Sequence, residues 1–379
     1  MTTLHQPPPS APPALLITRS PTGDERNAEA IRARWRRGQL VRLHRGAYAE
    51  AEDWIDAPPW ERHAAALAAR AVAHPPSVFS RQSALHLHGV QQIWTADRVH
   101  VRTHTRGRAG RRRSLSAWAE DAAPRRLPDQ VPSARSPGAS PGAPHPPALE
   151  YVLPYTAWAH AVPESTTGSG LSGAWSHTLH RAFRQTLLRE PAVWTDPLPL
   201  AVADVICRVP LGEGLTVVDS VLSGRTAHGR RLTVQDIRSW VELIPVRRKR
   251  ERALVALELG DAAAESPGES ASRAQIWEAG LQMPQLQTAH RLEDGSSVRP
   301  DMEWREAGVV GEFDGLIKYS RAQALSGQTA DRVLVQEKRR EEALNRAGRK
   351  VVRWTWADLK VPGRVPGWLD AAGVPFRTS

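Results

Sequence analysis

The spacing of apolar residues changes period once between residues 24 and 48. From Asp24, the residues Ala28, Ile31 and Trp35 recur at helical spacing. Leu40, Val41 and Leu43, the His44-Arg45-Gly46 turn and Ala47-Tyr48 then read as a β-hairpin. Residues 60–74 (WERHAAALAARAVAH) predict a helix, 80–90 (SRQSALHLHGV) a second one with Ser80 as N-cap, and 98–105 (RVHVRTHT) an alternating strand. Helical patterns return in SHTLHRAFRQTLL, PLAVADVICRV, GLTVVDSVL and TVQDIRSWVELI. Asp204 and Asp219 within them read as caps or structural hydrogen-bond acceptors.

The C-terminal third begins with a helix. Ser266, Pro267 and Glu269 match the N-cap, first-position proline and third-position acid of a capping box, which is enough to explain Glu269. Glu269 also lies seven residues before Ile276, on the face expected to bury. QLQTAHRL (285–292) reads as a first strand. SVRPDMEW (297–304) reads as a second, with Val298, Pro300, Met302 and Trp304 on one face and Arg299, Asp301 and Glu303 on the other. After the REAG turn comes VVGEFDG, with Val310, Glu312 and Asp314 sharing a face, then a helix over 330–348 and the strand of RKVVRWTWADL.

Proline, glycine, serine and arginine mark the boundaries. Residues 1–22 read as a disordered Pro-rich tail, 23–50 as a helix with a basic wing, and 51–105 as a small α/β region. Residues 106–150 read as a disordered Arg/Pro/Ser-rich linker or insertion, 151–245 as a helical middle region, and 246–379 as the last domain. The class expected is α/β (α+β) and multidomain. With 379 residues, 41% of them hydrophobic, the chain can bury more than one core. The N-terminus lacks a signal-peptide pattern, no apolar run is long enough to span a membrane, and the single Cys207 excludes an intrachain disulfide framework. The expectation is a cytoplasmic protein.

The net charge of +11 is concentrated toward the N-terminus: residues 19–45 carry eight arginines against three acids, and 106–149 repeat that ratio. Nucleic acid is a natural partner for such a field, although an Arg-rich composition alone also produces it. Arg32, Arg34, Arg36, Arg37, Arg42 and Arg45 are the phosphate-contact candidates, with Lys338, Arg339 and Arg340 further along. Each stands against the simpler reading of solvated surface charge.

If the two C-terminal strands pair as a hairpin, Asp301 and Glu312 face one side as neighbours. They can then hold a Mg²⁺ ion (or Mn²⁺), with Asp314 or Glu269 adding oxygen ligands. Lys318 follows four residues after Asp314. Lysine is rare in this chain, at five positions among 51 basic residues, so its presence there carries some weight. The competing reading makes it a strand end with an exposed ammonium.

Asp301, Glu312-x-Asp314-Gly315, Lys318 and the REEALNRAGRKVVRW tail resemble the very-short-patch-repair-like branch of the PD-(D/E)xK nuclease superfamily over roughly 246–360. The resemblance implies an αβββαβ restriction-endonuclease-like core. It makes Asp301 and Glu312 the metal carboxylates, Glu269 the helix-borne acid and Lys318 a migrated lysine, since Asp314 occupies the usual lysine position. RWRRGQLVRLHRGAYA and SRQSALHLHGV resemble the AbiEi-type antitoxins of type IV toxin–antitoxin systems, which implies a partial winged-helix segment, DNA binding and a cognate toxin. Three readings stay open: a Mg²⁺-dependent endonuclease, a non-catalytic DNA-binding regulator on an inactive nuclease fold, or an interaction protein in which VGEFDG is only a buried strand ending in a turn.

Overall fold

The computed structural model describes residues 15–17, 25–74, 77–93, 98–103, 109–113, 149–154, 164–165, 193–227, 229–291, 297–314 and 348–378. The chain divides into two compact units, Met1–Val205 with Gly224–Arg247, and Ile206–Ser223 with Arg248–Ser379. Both mix helices with small sheets, so the protein is α+β. Among the described residues no helix is long and apolar enough to cross a membrane.

In the first unit, strands β1 (Leu15–Ile17), β2 (Leu40–His44) and β3 (Ala47–Glu50) form an antiparallel sheet in the order β1-β3-β2. Arg45 and Gly46 make the hairpin turn, with Gly46 at φ 82, where a side chain would be strained. Helix α1 (Glu25–Arg36) packs Ile31 against Leu40 and Tyr48, and Trp35 leans on the same cluster, as its spacing predicted. One expectation is corrected. Leu15–Ile17, placed in a disordered tail, pairs with Ala47–Ala49, where three apolar residues in sequence suit the open edge of β3.

Helix α2 (Ala51–Asp56) buries Trp54, and the Ala-rich α3 (Pro59–Ala73) is buried along most of its length. Small side chains let α3 lie close to β2 and β3 and also contact β5 (Arg98–Thr103). Its neighbours are strand β4 (Ser77–Phe79) and helix α4 (Arg81–Leu87), which has Ser80 at the N-cap position as expected. With β6 (Gly110–Arg113), β7 (Leu149–Pro154), β8 (Glu164–Ser165) and β9 (Val193–Thr195), strands β4 and β5 complete a six-stranded sheet in the order β6-β7-β5-β4-β9-β8. The pairs β4/β9 and β5/β7 are parallel.

This sheet corrects two boundaries. Both ends of the expected 106–150 linker are strands, because Gly110–Arg113 and Leu149–Pro154 pair with each other; residues 114–148 lie outside the described set. The expected helical middle region supplies β8 and β9, and its SHTLHRAFRQTLL segment lies outside the described residues. Helix α5 (Leu198–Ile206) follows, carrying Asp204. Arg102 donates to Asp196 at 2.7 Å and to Asp204 at 3.2 Å, and Arg81 donates to Asp204 at 3.1 Å, so Asp204 is a structural acceptor in a buried ion network.

Chain order then interleaves the units. Helix α6 (Leu211–Ser223) belongs to the second, and α7 (Val234–Glu242), capped by Thr233 and Asp236, to the first. The second unit adds α8 (Arg247–Glu258) and α9 (Pro267–Glu278), and α6 packs on α9. The close approach uses small residues: a Cβ on Gly212 would sit 3.6 Å from Ala271 and Ala274. Asp219 accepts from Arg273, Ser270 and the Asp261 N–H, a buried anchor between the two helices.

The second unit's main sheet has the order β10-β13-β14-β15, from β10 (Gln285–Leu286), β13 (Met302–Trp304), β14 (Val309–Asp314) and β15 (Lys350–Thr355). The first three pair antiparallel, and β15 returns parallel to β14. Two expected strands are shorter than their patterns. QLQTAHRL breaks at Gln287, which adopts φ 52, and SVRPDMEW breaks around Pro300, which has no N–H to give a ladder. The freed ends, β11 (His290–Arg291) and β12 (Ser297–Val298), form a separate hairpin. Val298 accordingly packs with Val310 and Val351 rather than sharing a face with Met302 and Trp304.

Helix α9 covers one face of the sheet. The Trp354 indole donates to Ser272 Oγ at 2.7 Å, and the Phe313 ring lies where a side chain on Gly268 would project. Helices α10 (Trp356–Leu359) and α11 (Arg364–Ala372) close the chain.

Candidate functional site

The register fixes the faces of the sheet. Glu303 is paired with Val310, Val310 with Val351, and Glu312 with Arg353. Because side chains alternate, Phe313 and Trp354 point toward α9, and Glu312 and Arg353 point to the opposite face.

The β13–β14 register ends at the pair Met302 and Gly311, and Asp301 is the residue just before it. Asp301 Oδ2 accepts the Phe313 N–H at 2.9 Å, standing in for the ladder acceptor that β13 lacks once Pro300 has bent the chain. Glu312 is 7% exposed, and its Oε2 lies 3.0 Å from Arg353 Nη2. Asp314 ends β14 and is half-buried.

Glu269 is held elsewhere. It is 2% exposed, accepting from Ser266 Oγ at 2.7 Å and from the Glu265 N–H at 2.9 Å. The capping arrangement that Ser266 and Glu269 form explains this acid, and α9 covers the face away from Glu312. Lys318, Lys338, Arg339 and Arg340 lie outside the described residues. Among the described residues no group of three or more His, Cys, Asp or Glu side chains is gathered for a metal.

Five residues had no role in the sequence reading. Arg353 neutralises Glu312, and Glu303, which is fully buried, draws His290 to 3.1 Å and Arg349 to 3.2 Å, with Arg305 at 3.9 Å. Burial works to raise the Glu303 carboxyl. A Thr288 hydrogen bond and the charges of His290 and Arg349 outweigh it and hold the group below the usual glutamate range. Strand alternation could have flagged Glu303 and Arg353, since both fall on the Glu312 face. No local motif links β13 or β15 to it.

The N-terminal arginines divide into two kinds. Arg34 is committed to Glu50, with Nη2 at 2.7 and 2.8 Å from its two oxygens, and Arg42 lies over the Trp35 ring at 4.7 Å. Arg32, Arg36, Arg37 and Arg45 are exposed.

No family model matches the chain, and comparisons with curated proteins and with solved structures return no match.

Proposed function

We propose that the chain binds nucleic acid, DNA foremost, and that its C-terminal unit is a Mg²⁺- or Mn²⁺-dependent endonuclease of the restriction-endonuclease-like class. The observation that carries this reading is the nearness of Asp301, whose carboxylate takes the Phe313 N–H at 2.9 Å, to Glu312, the residue before Phe313 on β14, with Asp314 at the end of the same strand. The order α9, β10, β13, β14, then β15 parallel to β14, supports the αβββαβ core that the sequence resemblance implies.

The donor set suits a hard ion. Mg²⁺ keeps most of its waters and needs only one or two carboxylates, so Asp301 and Glu312 suffice as its protein anchors. A bound ion would supply an activated water and polarise the phosphate. Asp301 and Glu312 orient that chemistry, and Lys318 would stabilise charge developing on the phosphate oxygens. Glu269 is assigned to the start of α9 and not to the metal. Helix α1 and the β2-β3 hairpin, with Arg32, Arg36, Arg37 and Arg45 exposed, form the winged-helix-like grip on the phosphate backbone.

A second reading is favoured by one specific observation. Glu312 already has Arg353 as its counter-ion, which suits a DNA-binding regulator of antitoxin type that has given up catalysis and answers to a cognate toxin. Incubating supercoiled plasmid and single-stranded DNA with the full chain separates the two. Nicking that needs Mg²⁺ or Mn²⁺ and stops with chelator supports the endonuclease. Salt-sensitive binding without nicking selects the regulator.

A further inference from the structure

We infer that Arg353 is an exchangeable cation of this site: it holds Glu312 in the metal-free protein, and its guanidinium passes to a phosphate of the bound strand once a divalent ion occupies the carboxylates. The inference rests on the endonuclease reading above and gives the bound phosphate a donor on β15.

Three observations support it. Arg353 and Glu312 are register partners on parallel neighbours, so the guanidinium approaches the carboxylate without backbone rearrangement. The contact runs from Arg353 Nη2 to Glu312 Oε2 at 3.0 Å, on the face that α9 leaves to other groups. The two side chains also differ in depth, with Arg353 28% exposed and Glu312 9%. A phosphodiester arriving from solvent therefore meets the guanidinium before the carboxylate.

The chemistry of exchange follows from charge. A guanidinium and a divalent ion compete for the same carboxylate oxygens, and the ion has the greater charge and the shorter contact. Once released, a guanidinium offers five donors in a planar fork that matches two phosphate oxygens, a geometry lysine cannot reproduce. No bond is made or broken in the exchange, and no proton is transferred. A merely structural ion pair would behave differently, because removing either partner would weaken the site in every respect.

The test uses the full chain with Arg353→Gln and Arg353→Lys. Mn²⁺ binding is read by titration calorimetry, and plasmid nicking is read in Mn²⁺. Exchange predicts opposite signs in Arg353→Gln: Mn²⁺ binds about tenfold more tightly because its competitor is gone, and nicking slows about 100-fold because the phosphate has lost its donor. Arg353→Lys keeps the competing charge, so its Mn²⁺ affinity stays near wild type, while nicking falls because the fork is lost. Equal or weaker Mn²⁺ binding by Arg353→Gln, with a thermal melt showing that it is folded, overturns the inference. So does undiminished nicking by that variant. If wild type binds Mn²⁺ but never nicks, the endonuclease reading and the phosphate role fall together, and the titration alone still decides whether Arg353 competes for Glu312.

Discussion

Asp219 of α6 and Arg273 of α9 form a buried ion pair, with Nη1 2.8 Å from Oδ2, and Ser270 and the Asp261 N–H complete the carboxylate's contacts. The pair ties a helix from the middle of the sequence to the C-terminal unit. Asp219→Ala leaves the Arg273 charge buried without its carboxylate, and the expected cost is about 3–5 kcal/mol. Urea denaturation followed by tryptophan fluorescence measures it. A loss under about 1 kcal/mol would show that α6 is peripheral to the unit.

Gly268 makes a second test of the same packing. A Cβ there would lie 2.0 Å from Phe313 Cε1, so the ring and β14 must shift to admit it. Gly268→Ala should lower stability by roughly 1–3 kcal/mol despite its gain in helix propensity. Because Phe313 adjoins Glu312, any Mn²⁺ binding should weaken with it. An unchanged melting temperature would contradict the packing described.

Acid should weaken the first unit. Burial, with help from the charges of Arg81 and His63, lowers His100 from its ordinary 6.5 to about 3, and burial lowers His86 in the same direction. Both rings remain neutral in the folded unit while the unfolded chain takes up protons below 6.5. Their contribution is therefore complete above pH 6.5 and declines as pH falls, at about 1.4 kcal/mol per pH unit for each fully depressed histidine. Urea midpoints between pH 7 and pH 5 measure the slope, and His100→Gln should flatten it. Stability that holds level across that range would contradict the account.

The arginines of α1 and its hairpin should separate by what they already touch. Replacing Arg32, Arg36, Arg37 or Arg45 with Ala should reduce DNA affinity uniformly across sequences and lower the salt slope by about one for each phosphate left without its arginine. Arg34→Ala should mainly cost stability, since its guanidinium is held by Glu50. Fluorescence anisotropy at graded salt distinguishes the two groups. Equal slopes in all five variants would remove this surface from the DNA interface.

Local pattern carried much of the fold. The helix of Ile31 and Trp35, the Gly46 hairpin, the Ser80 start and the Ser266 cap are all readable from a few neighbouring residues, and each is where its spacing predicts. Long-range pairing was not readable. Nothing near Leu15 announces that β3 has an open edge, and nothing near Arg113 announces that Leu149 returns to it. Pro300 was legible as a residue but not as a bend, and that bend moved Val298 to the Glu312 face. In the candidate site, the hairpin of Met302 with Gly311 was legible, and Asp301 lies at its end with its carboxylate on the Phe313 N–H. The partner of Glu312 was hidden because Arg353 is one arginine among many and lies on a strand 41 residues away.

The claim that Asp301 and Glu312 serve one site is tested most directly by the nicking rates of Asp301→Ala, Glu312→Ala and the double variant in Mn²⁺. The account predicts that each single change lowers the rate about 100-fold or more and that the double variant is no slower than either, because groups acting as a unit are lost together. Single variants that nick at the wild-type rate would contradict it.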